Sequence, residues 1–139
     1  MKLLWNVVRM DNIYGGFYIP HFKIWRRYML EIDTVENVFQ FIEEYQNDEI
    51  IIIDYYAKWC KPCKGQSIVL KTVEEELKDK NIFFTKFDVE KDPDILKIVG
   101  FQSIPTVVVY KHGKEQCRFT GIVNFYTLNK TIKELKKLK

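Results

Sequence analysis

Cys60 and Cys63 stand two residues apart inside Trp59-Cys60-Lys61-Pro62-Cys63-Lys64. Two sulfurs at that spacing can meet within one helical turn and exchange a disulfide, or they can supply half of a zinc site. The flanking sequence favours the first chemistry. Residues 50–57 are apolar apart from Asp54, which reads as a central strand buried on both faces. Residues 60–80 then read as a helix, with Ile68, Val69, Val73 and Leu77 expected to face inward. Cys60 therefore falls at a helix N-terminus, where unpaired N–H groups and the helix dipole favour an anion and lower a thiol pKa. Lys61 and Lys64 add positive charge, and Pro62 stiffens a turn that needs no N–H partner there. A zinc site would need further ligands, and His21 and His112 lack metal-like spacing, so no metal is expected.

Asp54 is the second residue with chemistry in it. A carboxylate in a strand covered on both sides is costly unless it is paired or protonated. Burial should raise its pKa.

The elements that must position these groups alternate along the chain. Residues 28–32 read as a short strand. Asp33 with Glu36 reads as a helix cap and capping box, and Val35, Val38, Phe39, Ile42 and Tyr45 carry helical spacing behind it. Residues 82–88 read as another strand, followed by a short helix with Asp92 as its N-cap and Pro93 in its first turn, ending near Gly100. Residues 106–110 and 115–120 form a hairpin about His112-Gly113. Asn124 caps a last helix that should turn Phe125, Leu128, Ile132, Leu135 and Leu138 inward. The order βαβαβαββα predicts an α/β domain, with a mixed central sheet and helices on both faces.

At 139 residues the chain is expected to be one domain, and its net charge of +3 is uneven. Lys2, Arg9, Lys23, Arg26 and Arg27 against Asp11 put +4 into residues 1–28 and leave −1 for the rest, which gives no case for nucleic-acid binding. Three cysteines do not make a secreted disulfide scaffold. The third, Cys117, sits in a strand and reads as a half-buried structural thiol. No apolar run approaches the ~18 residues of a membrane helix. The start lacks a signal-peptide pattern, so a cytoplasmic location is expected. The basic start would suit a mitochondrial presequence, but no Ser precedes Ser67. Residues 1–27 carry Trp5, Tyr14, Phe17, Tyr18, Phe22 and Trp25, too apolar for a typical flexible tail. They read as an N-terminal extension packed on the domain at 28–139; a docking or membrane-surface element and a disordered tail are the alternatives.

Two separated blocks carry a resemblance to one family. Ile-Ile-Ile-Ile-Asp-Tyr-Tyr-Ala-Lys-Trp-Cys-Lys-Pro-Cys-Lys, residues 50–64, resembles the thioredoxin active-site strand and turn. Residues 100–113, with Ser103-Ile104-Pro105-Thr106 and Lys111-His112-Gly113, are similar to that family's second signature. The resemblance covers residues 28–138 and implies the thioredoxin fold, a five-stranded mixed sheet flanked by four helices. It implies that Cys60 is the attacking thiolate and Cys63 the buried resolving cysteine, which together close a disulfide. Pro105 would be a cis-proline beside that disulfide, with Ile104 presenting its backbone to an extended substrate. Asp54 would exchange a proton with Cys63, unless it only makes a structural hydrogen bond, and Lys86 on the neighbouring strand could pair with Asp54 or be an exposed strand-edge lysine. Trp59 would shield the sulfurs, unless it is simply core, and Gly121 would leave room on the substrate-facing surface, unless it only serves a turn. The redox-active disulfide would serve without a bound cofactor. Disulfide-containing proteins would be the substrates of a monomer, and a flavin-dependent thioredoxin reductase would restore the dithiol.

The sequence departs from the family at four places. Lys61 replaces the commonest glycine, which predicts a lower Cys60 pKa and a less reducing couple. Tyr56 stands where many members have a second tryptophan. Ile68 stands near the usual helix proline, so the long helix should run unkinked. The basic, aromatic extension is the fourth. A specialised oxidase or isomerase, and a binding subunit with incidental cysteines, therefore remain as alternative functions.

Overall fold

A computed structural model describes residues 29–139. Tyr28 and the extension over residues 1–27 lie outside the described residues. The elements are β1 (Leu30–Ile32), α1 (Val35–Glu44), β2 (Ile50–Tyr56), α2 (Lys61–Leu77), β3 (Ile82–Asp88), a π-helix (Leu96–Gly100), β4 (Thr106–Lys111), β5 (Lys114–Thr120) and α3 (Phe125–Lys136). The strands form one sheet in the order β1-β3-β2-β4-β5. β3 runs parallel to both β1 and β2, whereas β4 runs antiparallel to β2 and to β5. This is the mixed sheet expected from the alternation of elements.

β2 lies at the centre because both its faces are apolar. Ile50, Ile51, Ile52 and Ile53 are each at most 1% exposed, and each buried isoleucine contributes roughly 1.5–3 kcal/mol. The odd residues Ile51, Ile53 and Tyr55 pack with Val38, Phe41 and Ile42 of α1 and with Ile95 and Phe101. The even residues Ile50 and Ile52 pack with Leu70 and Val73 of α2 and with Leu128 and Ile132 of α3. Asp54 shares the even parity, so its carboxyl joins the α2 side of the sheet.

Several local expectations need correction. Thr34, not Asp33, is the N-cap of α1, and its side chain accepts from the Asn37 N–H at 3.1 Å. Asp33 instead accepts from Lys91 Nζ at 2.8 Å. Asp92 does not cap its own helix; its Oδ2 accepts from the Val35 N–H at 3.0 Å and supports the start of α1 across the fold. The short helix is a π-helix that starts three residues after Pro93. α2 runs unbroken but stops at Leu77, where Lys78 turns into the left-handed region with φ 45°. Ile68 points outward, 66% exposed, and the inward places belong to Cys63, Gln66, Leu70 and Val73. The apolar side chain suggested burial, but the helix's phase gives that direction to Gln66, which donates to and accepts from the Val123 backbone. Leu138 lies beyond the end of α3 and is half exposed. The hairpin turn is as expected, with His112 and Gly113 both at positive φ.

Candidate active site

The chain leaves the buried β2 and reverses over residues 57–60, where the Cys60 N–H donates to the Ala57 carbonyl at 3.1 Å. Cys60 is the N-cap of α2: its backbone is extended, and its Sγ accepts from the Cys63 N–H at 3.3 Å. The sulfur thus occupies the place that a Ser or Asp oxygen takes at other helix starts. Pro62 lies within the first turn, where no N–H is needed. Cys60 and Cys63 are joined as a disulfide, with their Cα atoms 5.3 Å apart. On reduction, the same N–H and the helix dipole would face a Cys60 thiolate.

Both cysteines are only 3% exposed in this oxidised state. The role expected of Cys60 calls for access, and exposure does not separate the two here. Cys60 stands before the first turn of α2, and Cys63 stands inside it. Around them Lys61 and Pro62 are exposed, and Trp59 is 70% exposed. That exposure rules out Trp59 as a core residue.

Ile104 packs against the hydrophobic cluster that includes both cysteines. The Ile104–Pro105 peptide is cis. The Pro105 carbonyl accepts from the Gly121 N–H at 2.9 Å, which ties the proline to the end of β5. Gly121 is set by its backbone rather than by crowding. Its φ is +80°, and a Cβ there would meet nothing within 4 Å. The clearance expected of Gly121 is therefore available, but the torsion is what requires glycine.

Asp54 is 1% exposed, and its Oδ1 has no hydrogen-bond partner among the described residues. Burial pushes its carboxyl up to about 7, against a smaller opposing pull from Lys86. Asp54 and Cys63 line one cleft of about 410 Å³, together with Ser67, Tyr56 and Lys86. Lys86 is the register neighbour of Asp54, yet the two are not among the described ion pairs. Its ammonium lies 5.4 Å from the centroid of the Tyr56 ring instead. The pairing expected of Lys86 is thus a through-space attraction. Cys117 is half-buried and unpaired, with its thiol raised by burial and then by Glu115.

Three contributors were not foreseen. Glu31 accepts from the Tyr56 hydroxyl at 2.7 Å and borders the same cleft. Arg118 on β5 donates to the carbonyls of Val99 and Gly100, each at 2.9 Å, and so holds the segment that leads to Ile104 and Pro105. Ile122, beside Gly121, is 56% exposed. Its place next to a motif glycine was the available signal, whereas Glu31 and Arg118 depend on strand register and tertiary reach. Among the described residues there is no cluster of His, Cys, Asp or Glu that could hold a metal. No described helix is long and apolar enough to cross a membrane.

Comparison with known proteins bears on this site directly. The family model Thioredoxin matches residues 31–134. The chain is 34% identical over 110 residues to thioredoxin Y1, chloroplastic, of Arabidopsis thaliana, covering 78% of this chain and 63% of that protein. It is 32% identical over 94 residues to a thioredoxin of Chlamydia caviae, covering 68% of this chain and 86% of that one. The oxidised mitochondrial thioredoxin 3 of Saccharomyces cerevisiae superposes with a TM-score of 0.65 at 31% identity, over 76% of this chain and 94% of that structure. The chain belongs to the thioredoxin family, whose members exchange thiols and disulfides through a cysteine pair and need no bound cofactor.

Proposed function

We propose that this chain reduces disulfide bonds in other proteins. The observation that carries the reading is Cys60 at the cap of α2, with its sulfur already accepting the Cys63 N–H. In the dithiol form the Cys60 thiolate attacks one sulfur of a substrate disulfide. A mixed disulfide forms and the other substrate sulfur leaves as a thiolate. Cys63 then gives up its proton and attacks the Cys60 sulfur. That closes the Cys60–Cys63 bond and releases the second substrate thiolate. Asp54, in the same cleft as Cys63 and raised to about 7, suits the proton transfer. Ile104 and Pro105 supply backbone for an extended substrate, and Trp59, Ile122 and Gly121 form the surrounding rim. A thioredoxin reductase returns two electrons to restore the dithiol. The cytoplasmic location and the 1–27/28–139 division belong to the same proposal.

The test is insulin reduction with a thioredoxin reductase and its reductant. Wild type should turn over catalytically, and Cys60→Ser should lose activity by at least ~10³-fold. Absence of turnover by the wild-type dithiol would overturn the reading. Lys61 supports a second reading, a less reducing oxidase or isomerase, because its charge favours the thiolate form; equilibration against glutathione separates the two.

A further inference from the structure

The register of the sheet sets Glu31 beside Lys86 and Lys86 beside Asp54, on β1, β3 and β2. Paired residues of parallel strands direct their side chains to one face, here the face under α2. One lysine therefore stands between two acidic residues in the register. The two acids differ sharply in surroundings. Asp54 is sealed, with its Oδ1 unpartnered among the described residues. The Glu31 side chain keeps 34% exposure and accepts from the Tyr56 hydroxyl at 2.7 Å and from Lys91 Nζ at 3.3 Å. Lys86 rests over the Tyr56 ring, the same ring whose hydroxyl Glu31 holds.

We propose that Glu31 is a positioning residue of the redox site: by anchoring the Tyr56 ring and competing for the Lys86 ammonium, it withholds that charge from Asp54 and keeps Asp54 able to hold a proton. The inference rests on reading Asp54 as the proton partner of Cys63. The electrostatics run the same way. Burial works to raise the Glu31 carboxyl, but the Tyr56 hydroxyl, Lys86 and Lys91 outweigh it and hold it below the usual carboxylate range. Lys86 stabilises that anion with charge it could otherwise give wholly to Asp54.

Among the remaining groups, buried Asp88 flanks Tyr56 in the register, with its Oδ1 accepting from the Glu90 N–H at 3.0 Å. On α2, Cys63 is bonded to Cys60 and uncharged, and Lys64 is exposed to water. Lys58 in the turn after β2 is exposed too, so both charges are screened. Lys91 is engaged by Asp33 and Glu31. The β4 neighbour of Asp54 is Val107, which carries no charge.

The experiment follows the Asp54 carboxyl carbon by NMR through a pH titration of the full oxidised chain, in which Cys60 and Cys63 do not titrate. Wild type, Glu31→Gln, Lys86→Met and the double variant are compared. Glu31→Gln should move the Asp54 midpoint down by about one pH unit, and Lys86→Met should move it up. With Met at position 86, the Glu31→Gln shift should fall to less than half. An unmoved or raised midpoint in Glu31→Gln overturns the proposal. So does a shift of equal size in both backgrounds, which would make Glu31 a simple point charge. Insulin reduction is scored separately: its absence would sink the reductase reading, while the titration still decides the role of Glu31.

Discussion

Lys111 on β4 and Asp54 on β2 lie on neighbouring strands, and both are sealed from water, 2% and 1% exposed. Their surroundings are opposite. Lys111 Nζ donates to the carbonyls of Leu135 at 2.8 Å and Leu138 at 2.7 Å, at the C-terminal end of α3, and lies 3.4 Å from Asp48. Asp54 has a buried oxygen with no partner among the described residues. A desolvated charge with several acceptors at a helix's negative end can stay ionised and hold that helix in place. A desolvated carboxyl without them becomes a proton store. The same sheet thus carries a well-partnered ammonium at one end and a carboxyl with an unpartnered oxygen in the cleft that Cys63 also lines.

The largest effect should come from Asp54→Asn. In the folded chain the Asp54 carboxyl is raised from 3.8 to about 7. Between those values the native state holds a proton that the unfolded chain has released, so stability falls as pH rises and levels off above about 7. Asparagine removes this dependence. The stability gain of Asp54→Asn over wild type should therefore grow by roughly 3–4 kcal/mol between pH 4 and pH 8. Urea unfolding at both pH values measures it, and a constant difference would show that Asp54 is ionised as readily when folded as when unfolded. Insulin reduction should slow at the same time, through the resolving step at Cys63.

Lys111→Met tests the other half of the contrast. It leaves two carbonyls at the end of α3 without their donor and should cost about 2 kcal/mol. Urea unfolding of wild type and Lys111→Met measures that cost. Asp48 is 74% exposed, so Asp48→Asn should change stability by less than ~0.5 kcal/mol.

The same division explains what could be read from residues alone. β2 was legible because four consecutive isoleucines admit few other readings, and the disulfide site because its spacing, charge and helix start agree within six residues. Thr34 was missed because Asp33 is an equally good local cap, and only Lys91, brought in by the turn after β3, takes Asp33 away. Asp92 was misassigned because its partner, the Val35 N–H, is 57 residues distant. The row Glu31–Lys86–Asp54 needs the register of three strands, two of them joined across the sheet out of sequence order. Local chemistry was visible, but the charges that tune it come from non-local pairing.

Arg118→Met moves the comparison from protons to substrate. Its guanidinium grips the last carbonyls of the π-helix while its Nε donates to Glu115 at 2.8 Å. Removing it frees the segment before Ile104 and Pro105 and leaves the cysteines and Asp54 untouched. The KM for insulin should rise about three- to tenfold with kcat unchanged. A fall in kcat alone would place Arg118 with the proton machinery.

The smallest effect belongs to Lys61. It is exposed, and its charge acts on Cys60 through water, so it can bias the thiolate only modestly. The bias has a definite sign. A cation beside Cys60 stabilises the thiolate of the reduced form and not the uncharged disulfide, which makes the oxidised form easier to reduce. The wild-type potential should therefore lie above the ~−270 mV of thioredoxin, and Lys61→Gly should lower it by roughly 10–30 mV. Redox equilibration against glutathione at low salt reads both values. Raising the salt should shrink the difference between them, as it must for a surface charge, and should leave the Asp54 titration midpoint nearly where it was, as it must for a buried one.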